Sequence, residues 1–385
     1  MQLNVFSLSH WMRILLAFDK FKGSLTARQA SEAVVRGLRK SGVTFAEPVE
    51  ICPIADGGEG FTDAVLTAMG GLWQEVPTHD AHGREIVSKY GRIGPDAIME
   101  MSSASGLALV LDLPLDPSRA NTRGTGEMML HAVAQGAKRI IIGIGGSATN
   151  DGGSGMAAAL GVRFLDRDGV ALTNFPADLD RVERLVQEAP LNCEVIVACD
   201  VTNPLLGEQG ATAVYGPQKG VKDIPWFESR LEKLAALVER DLGHDSRHFP
   251  GAGAAGGLGF GLMSFCGARL QSGFDLVADM TNLKERIAKA DLVITGEGRL
   301  DSQTLNGKGP AGVARLAREA GRRVVGVGGI VEKSAAVKEL FDHVVQVKPE
   351  HVPVREAMQR AEALLEEAAA LHAEAILGQR VAVAS

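Results

Sequence analysis

Five short segments combine aspartate with glycine or hydroxyl residues at spacings suited to phosphate: AFDKFKGS at 17–24, IADGGEG at 54–60, GIGGSATNDGG at 143–153, CDVTNPL at 199–205 and TGEGRLDSQT at 295–304. Every one contains an Asp, and four contain glycine. Polyphosphate is best approached by bare backbone N–H groups, which glycine offers because it lacks a Cβ and tolerates positive φ. A phosphate chain also brings Mg²⁺, which takes one or two carboxylates and fills its shell with water and phosphate oxygens. Lys20, Lys22, Arg123, Lys219, Arg299 and Lys308 lie in or beside such loops and could neutralise a transferring group. Each piece has a plainer reading as helix cap, tight turn or solvated charge. Repetition at successive strand ends favours a site.

These loops need a scaffold that aims them the same way. From Arg13 onward, short apolar runs alternate with helical segments, the pattern of a parallel α/β sheet. Strands are expected at 13–18, 51–54, 139–144, 194–199, 291–295, 323–328 and 343–347, apolar throughout as for strands covered on both faces. Helices are expected at 26–40, 60–69, 124–135, 153–160, 227–242, 309–320 and 355–377. In such sheets, ligands bind beyond the carboxyl ends of the strands, so the five segments are expected to converge. Two stretches break the rhythm. Residues 72–101 read as antiparallel strands, and 243–261 as a loop with six glycines between Gly251 and Gly261. A second domain over 67–285 accounts for both.

With 385 residues, 45% hydrophobic and 23% charged, the chain can bury a large core. A net charge of −7 disfavours nonspecific attraction to nucleic acid or anionic membrane, and 5% aromatics is poor provision for base stacking. Cys52, Cys193, Cys199 and Cys266 form no CxxC pair, so neither a disulfide framework nor structural zinc is indicated and a cytoplasmic location is expected. His79 with His82 and His244 with His248 sit in turn-like sequence and are not read as metal pairs. No apolar run reaches the roughly 20 residues of a spanning helix. Residues 1–11 lack a signal-peptide pattern and are expected to be an extension before a start at Met12.

Known nucleotide motifs mostly fail. Gly307 and Lys308 supply a GK pair, but Ser302 stands where a Walker A loop needs its first glycine. Ser147 is no nucleophile elbow, since Ala148 and Thr149 follow it. Gly143-x-Gly145-x-x-Ala148, a strand at 162–165 and Asp166 match a dinucleotide fingerprint loosely, which keeps an NAD-dependent dehydrogenase of a small 2-hydroxy acid as the alternative.

Taken in order, AFDKFKGSLTA, PIADGGEG, TRGTGEMM, GIGGSATNDGG, DVTNPLLGEQGA, YGPQKG, GAGAAGGLG and ITGEGRLDSQTLNGKGPAGVA resemble the motif series of the type I glycerate kinase family, from about Met12 to Gly329. Phe18 and Lys20 depart from the APDSFKGS form of the first motif, and Gly309 stands where Thr is frequent. The resemblance implies two α/β domains: a parallel-sheet Rossmann-like domain formed by 12–66 with 286–385, a second α/β domain inserted into it at 67–285, and a cleft between them. It implies ATP- and Mg²⁺-dependent phosphorylation of D-glycerate, with the 2-hydroxyl favoured. On that basis Lys20, Lys22 and Arg299, with Ser102 and Ser105 of SSASG, are expected at the acid, and Lys22 also at the reacting centre. A single carboxylate, Asp200 or Asp301, is expected to accept the hydroxyl proton, and Asp19, Asp56 and Asp151 to hold Mg²⁺. Which carboxylate serves as base and which as ligand is left open. Gly145, Gly146, Ser147, Thr149, Asn150, Gly296 and Glu297 are expected at ATP. The partner is the small acid, with no nucleic acid or membrane, and a homodimer is compatible with the sequence.

Overall fold

The computed structural model describes residues 12–301, 304 and 309–378. Its strands are β1 (Ile14–Phe18), β2 (Glu50–Ile51), β3 (Leu72–His79), β4 (Glu85–Ile93), β5 (Asp96–Glu100), β6 (Arg139–Gly143), β7 (Arg163–Leu165), β8 (Arg184–Val186), β9 (Glu194–Ala198), β10 (Arg269–Gln271), β11 (Leu292–Leu300), β12 (Arg323–Val331) and β13 (His343–Gln346). The chain is a mixed α/β protein. It divides into two compact units: residues up to Ala55, Asp63–Met69 and from Phe274 onward form one, and Asp56–Thr62 with Gly70–Gly273 form the other.

The first unit is a parallel sheet in the order β13-β12-β11-β1-β2. Along β1, Ile14, Leu16 and Phe18 pack with Val34, Leu38, Leu365 and Ile376, while Leu15 and Ala17 pack with Ile287, Val313 and Val324. Both faces are therefore covered, as the unbroken apolar run requires. The helix Ala27–Lys40 starts at a reciprocal cap in which Thr26 accepts from the Gln29 N–H and Gln29 accepts from the Thr26 N–H. It lies so close to the helix Ala361–Leu371 that a Cβ on Gly37 would stand 2.2 Å from the Glu366 carbonyl oxygen.

The second unit has the order β10-β9-β6-β5-β4-β3, with β10, β9, β6 and β5 parallel and β4 and β3 antiparallel. The expected antiparallel reading of 72–101 thus holds. Its core gathers Met99, Ile140, Ile142, Val195, Val197, Leu231, Leu234 and Leu258.

Several expectations need correction. The 51–54 strand pairs regularly only at Glu50–Ile51, although the Cys52 and Ile54 N–H groups still donate to the Leu16 and Phe18 carbonyls. The C-terminal helix breaks into Val354–Gln359, Ala361–Leu371 and Ala373–Leu377. Part of the 243–261 loop is instead the start of a helix, Ala254–Cys266, distorted by positive φ at Ala255, Gly256 and Gly257. Its glycines serve packing: a Cβ on Gly256 would lie 1.9 Å from the Thr149 carbonyl oxygen, and one on Gly261 would lie 2.7 Å from that of Gly152. Finally, β7 pairs antiparallel with β8 in its own small sheet, while β6 has β5 and β9 as neighbours. The strand at 162–165 therefore does not close a βαβ unit with β6, and Asp166 caps its own turn by accepting from the Asp168 and Val170 N–H groups. The dinucleotide fingerprint, and the dehydrogenase alternative with it, loses its structural basis.

Candidate active site

In the first unit, the segment after β1 runs beside an extended β11. The Asp19 N–H donates to the Gly296 carbonyl, and a Cβ on Gly298 would come within 3.5 Å of the Lys22 backbone nitrogen. This brings Asp19, Lys20, Lys22, Glu297 and Arg299 to one edge. Asp19 is buried and its Oδ1 accepts from the Lys20 N–H at 2.6 Å. A Cβ on Gly309 would sit 3.5 Å from Asp19 Oδ2, so Gly309 packs beside that carboxylate without adding a side chain. Lys22 and Arg299 are exposed. Thr304 ties the end of the segment together, its hydroxyl donating to Glu297 Oε1 at 2.9 Å and accepting from the Asp301 N–H at 3.0 Å.

The expected 295–304 loop is in fact strand as far as Leu300. Pairing with β12 continues through Glu297↔Gly328 to Leu300↔Val331, because Gly328 and Gly329 allow close approach. Gly296 is buried, and a Cβ there would lie 1.9 Å from the Val327 carbonyl oxygen, so it belongs to the sheet rather than to a ligand.

The second unit shows a feature that sequence reading did not foresee. Asp56–Gly60 lies across the carboxyl ends of β10, β9, β6 and β5. A Cβ on Gly273 would meet the Asp56 carbonyl oxygen at 2.3 Å, one on Gly57 the Ala198 oxygen at 2.7 Å, and one on Gly143 the Gly57 oxygen at 2.3 Å. The Gly145 N–H donates to Gly57 O, while Glu100 accepts from the Gly60 N–H at 3.1 Å and the Thr62 N–H at 2.8 Å. Asp56 and Asp200 are both exposed and flank Gly273, whose N–H donates to Asp200 Oδ1 at 3.2 Å.

Next to them, Gly146 is exposed with φ +75° and lies beside Ser102. Its carbonyl accepts from the Leu107 N–H, and the Ala148 N–H donates to the Ser105 carbonyl, which fixes the loop on the SSASG turn. Asp56, Ser102, Gly145, Gly146, Ser147 and Asp200 are thus gathered at one end of one sheet.

Four expected ligands in this unit are interior instead. Ser105 is fully buried, with its hydroxyl on that of Thr125 at 2.8 Å. Thr149, Asn150 and Asp151 are at 0% exposure. Asp151 Oδ2 accepts from the Thr122 N–H, the Thr122 hydroxyl and the Gly155 N–H at 2.9, 2.8 and 3.0 Å, and its Oδ1 from the Gly153 N–H at 3.1 Å. A carboxylate so occupied builds the loop and has no oxygen facing a metal. Burial pushes its pKa up, against those hydrogen bonds.

The Lys219 ammonium, also buried, donates to the Thr149 carbonyl at 2.6 Å. Burial draws it down to about 7, with Asp151 pulling the other way. Beside Asp200, burial pushes the Cys199 thiol up to about 11, which disfavours a thiolate there. Sequence reading missed Glu100, a carboxylate on a strand end, and Gly273, whose signal was only a lone glycine after a short strand. Ser302, Gly307 and Lys308, and the extension at 1–11, lie outside the described residues. Among the described residues, no group of three or more His, Cys, Asp or Glu side chains could cage a metal, and no helix is long and apolar enough to cross a membrane.

The Lys219 shift sets a pH dependence. Between about 7 and 10.5 the unfolded chain holds a proton that the native chain has lost. Unfolding free energy therefore rises with pH in that window, by up to about 1.4 kcal/mol per unit, and the native penalty is complete below it. In urea unfolding across pH, wild type is expected to gain on Lys219→Met through the window and to run parallel below it. A constant difference throughout would contradict this.

Comparison with known proteins places the chain among relatives. A family model described as "Glycerate kinase family" matches residues 14–377. A glycerate kinase of Halalkalibacterium halodurans is 40% identical over 370 residues, covering 92% of this chain and 96% of the relative. A glycerate 2-kinase of Escherichia coli K12 is 40% identical over 334 residues, covering 85% and 87%. A crystal structure from Salmonella typhimurium LT2, designated glycerate kinase 2, superposes with a TM-score of 0.83 at 38% identity, covering 95% and 98%.

Proposed function

This chain belongs to the glycerate kinase family and is a phosphotransferase, and from that premise we propose that it transfers a phosphoryl group from ATP, with Mg²⁺, to the 2-hydroxyl of D-glycerate. The observation that carries the reading is the match along almost the whole chain to relatives named glycerate kinase, and the 2-position rests on a relative named glycerate 2-kinase. The second unit supports the donor side. Exposed Gly146 and the neighbouring Ser147 would offer backbone and hydroxyl donors without side-chain bulk, the provision that phosphate oxygens need, while Gly145, its N–H held by Gly57 O, shapes the turn.

Exposed carboxylates at the same sheet end suit a hard cation that completes its shell from phosphate and water, and Asp56 and Asp200 would hold it. Bound Mg²⁺ supplies neutralisation of charge on the phosphate oxygens. From the first unit, Lys20, Lys22 and Arg299 would grip the acid's carboxylate, and Arg299 offers a bidentate fork. Asp301 or Asp200 would take the hydroxyl proton as the oxygen attacks phosphorus. Ser102 remains a candidate donor to the acid. Asp19, pinned by the Lys20 N–H, is a further candidate ligand and Glu297 a further nucleotide contact.

A coupled assay of ADP release over a panel of small hydroxy acids tests the reading. Release dependent on D-glycerate supports it, and ATP hydrolysis indifferent to every acid would refute it. Arg299→Ala is expected to raise the glycerate KM at least tenfold while changing the ATP KM little. Equal effects on the two would place Arg299 elsewhere.

A further inference from the structure

Lys219 is as buried as the core leucines, at 1% exposure, in the turn Pro217–Lys219. Its ammonium spans a sequence separation of 70 residues to the Thr149 carbonyl, inside the loop whose exposed residue is Gly146. Taking an ammonium out of water is expensive, and holding one carbonyl in place needs only a neutral donor. The charge therefore calls for a reason of its own.

Asp151 supplies it. This carboxylate lies two residues from Thr149, is fully buried, and already accepts from four donors, so it does not need the lysine for hydrogen bonding. It is the charged group that acts on Lys219. Ser147 stands only two residues from Thr149, no more than about 7 Å along the chain. An uncompensated negative charge so close beneath an anion-binding loop would repel what the loop must take. In the same place, the Thr149 hydroxyl and the Asn150 amide oxygen are buried without a hydrogen-bond partner among the described residues. The lysine is thus a charged group in a polar pocket that is incompletely satisfied, beneath the loop rather than within it.

We propose that Lys219 is a positioning residue for the phosphoryl donor, its buried ammonium cancelling the Asp151 charge and holding the Thr149 carbonyl so that the 145–147 loop accepts phosphate. The inference rests on the reading of that loop as the donor-phosphate site. It makes a demand that a merely structural strut does not: loss of the charge penalises ligands in proportion to their own negative charge.

The test compares inhibition or binding constants of ATP, ADP, AMP and inorganic tripolyphosphate for the full chain and for Lys219→Met and Lys219→Gln. They are measured at about pH 6, below the point near 7 to which burial draws this ammonium. Melting temperatures are recorded alongside. Both neutral variants are expected to weaken ATP and tripolyphosphate about tenfold or more, ADP less and AMP least, with the glycerate KM within about twofold. Equal weakening of all four ligands, or of none, overturns the proposal. Should the neutral variants fail to fold, Lys219→Arg decides: a retained ratio of ATP to AMP affinity supports the charge role, and a tenfold fall in that ratio overturns it. Ser147→Ala and Gly145→Ala separate the two layers. If they leave ATP affinity unchanged, the loop reading fails; if they lower it while Lys219 variants do not, only this inference fails.

Discussion

Asp200→Asn is expected to lower kcat by about 10² or more while the protein stays folded. Asp200 is exposed at the end of β9, and its Oδ1 accepts from the Gly273 N–H. Asparagine keeps the size and that acceptor, so the packing of Gly273 beneath Asp56 should survive. What is lost is the charge, which serves either to take the substrate proton or to hold a cation. Asp301→Asn is the companion in the other unit. Asp301 Oδ1 accepts from the Thr304 N–H at 3.3 Å, an interaction the amide oxygen can replace. Steady-state turnover with circular dichroism as a folding control checks both. If both variants turned over near the wild-type rate, neither carboxylate would carry the proton or the cation, and the assignment would fail.

Gly143→Ala should cost at least about 1–3 kcal/mol of stability and most of the activity, although Gly143 is not a ligand. Its added Cβ would stand 2.3 Å from the Gly57 carbonyl oxygen and 3.0 Å from the Gly57 carbonyl carbon, and backbone cannot swing aside as a side chain can. Relief requires Asp56–Gly60 to lift off the strand ends. That shift would carry Asp56 away from Asp200 and break the Gly145 N–H bond to Gly57. Unfolding by urea and kcat/KM measured together test the coupling. Normal activity in a folded variant would show that the glycine segment can move without consequence, contrary to its proposed place in the site.

How much of this was legible in the chain depends on the kind of residue. Apolar runs such as Ile140–Ile142 and Val195–Val197 announced their strands to within a residue or two, because a strand covered on both faces has no polar position to confuse the pattern. The glycine-rich stretches were located but misread. In GAGAAGGLG the absence of side chains signalled a loop, whereas the fold uses it to press a helix onto the 149–153 backbone. The same ambiguity governs the site. Within GIGGSATNDGG nothing local distinguishes Gly146, which is exposed, from Thr149, Asn150 and Asp151, which face inward; only their tertiary partners Thr122, Thr212 and Lys219 do so. Asp200 and Asp56 were named from their loops, but their meeting at Gly273 depends on strand order that no spacing reveals.

The most direct measurement is ³¹P and ¹H NMR of the mixture formed from the protein, ATP, Mg²⁺ and D-glycerate. The account predicts one ADP for each phosphate ester formed, with the ester's phosphorus coupled to the single proton on carbon 2. A product esterified at carbon 3 would contradict the 2-hydroxyl assignment, and unchanged ATP with no ester would contradict the reaction itself.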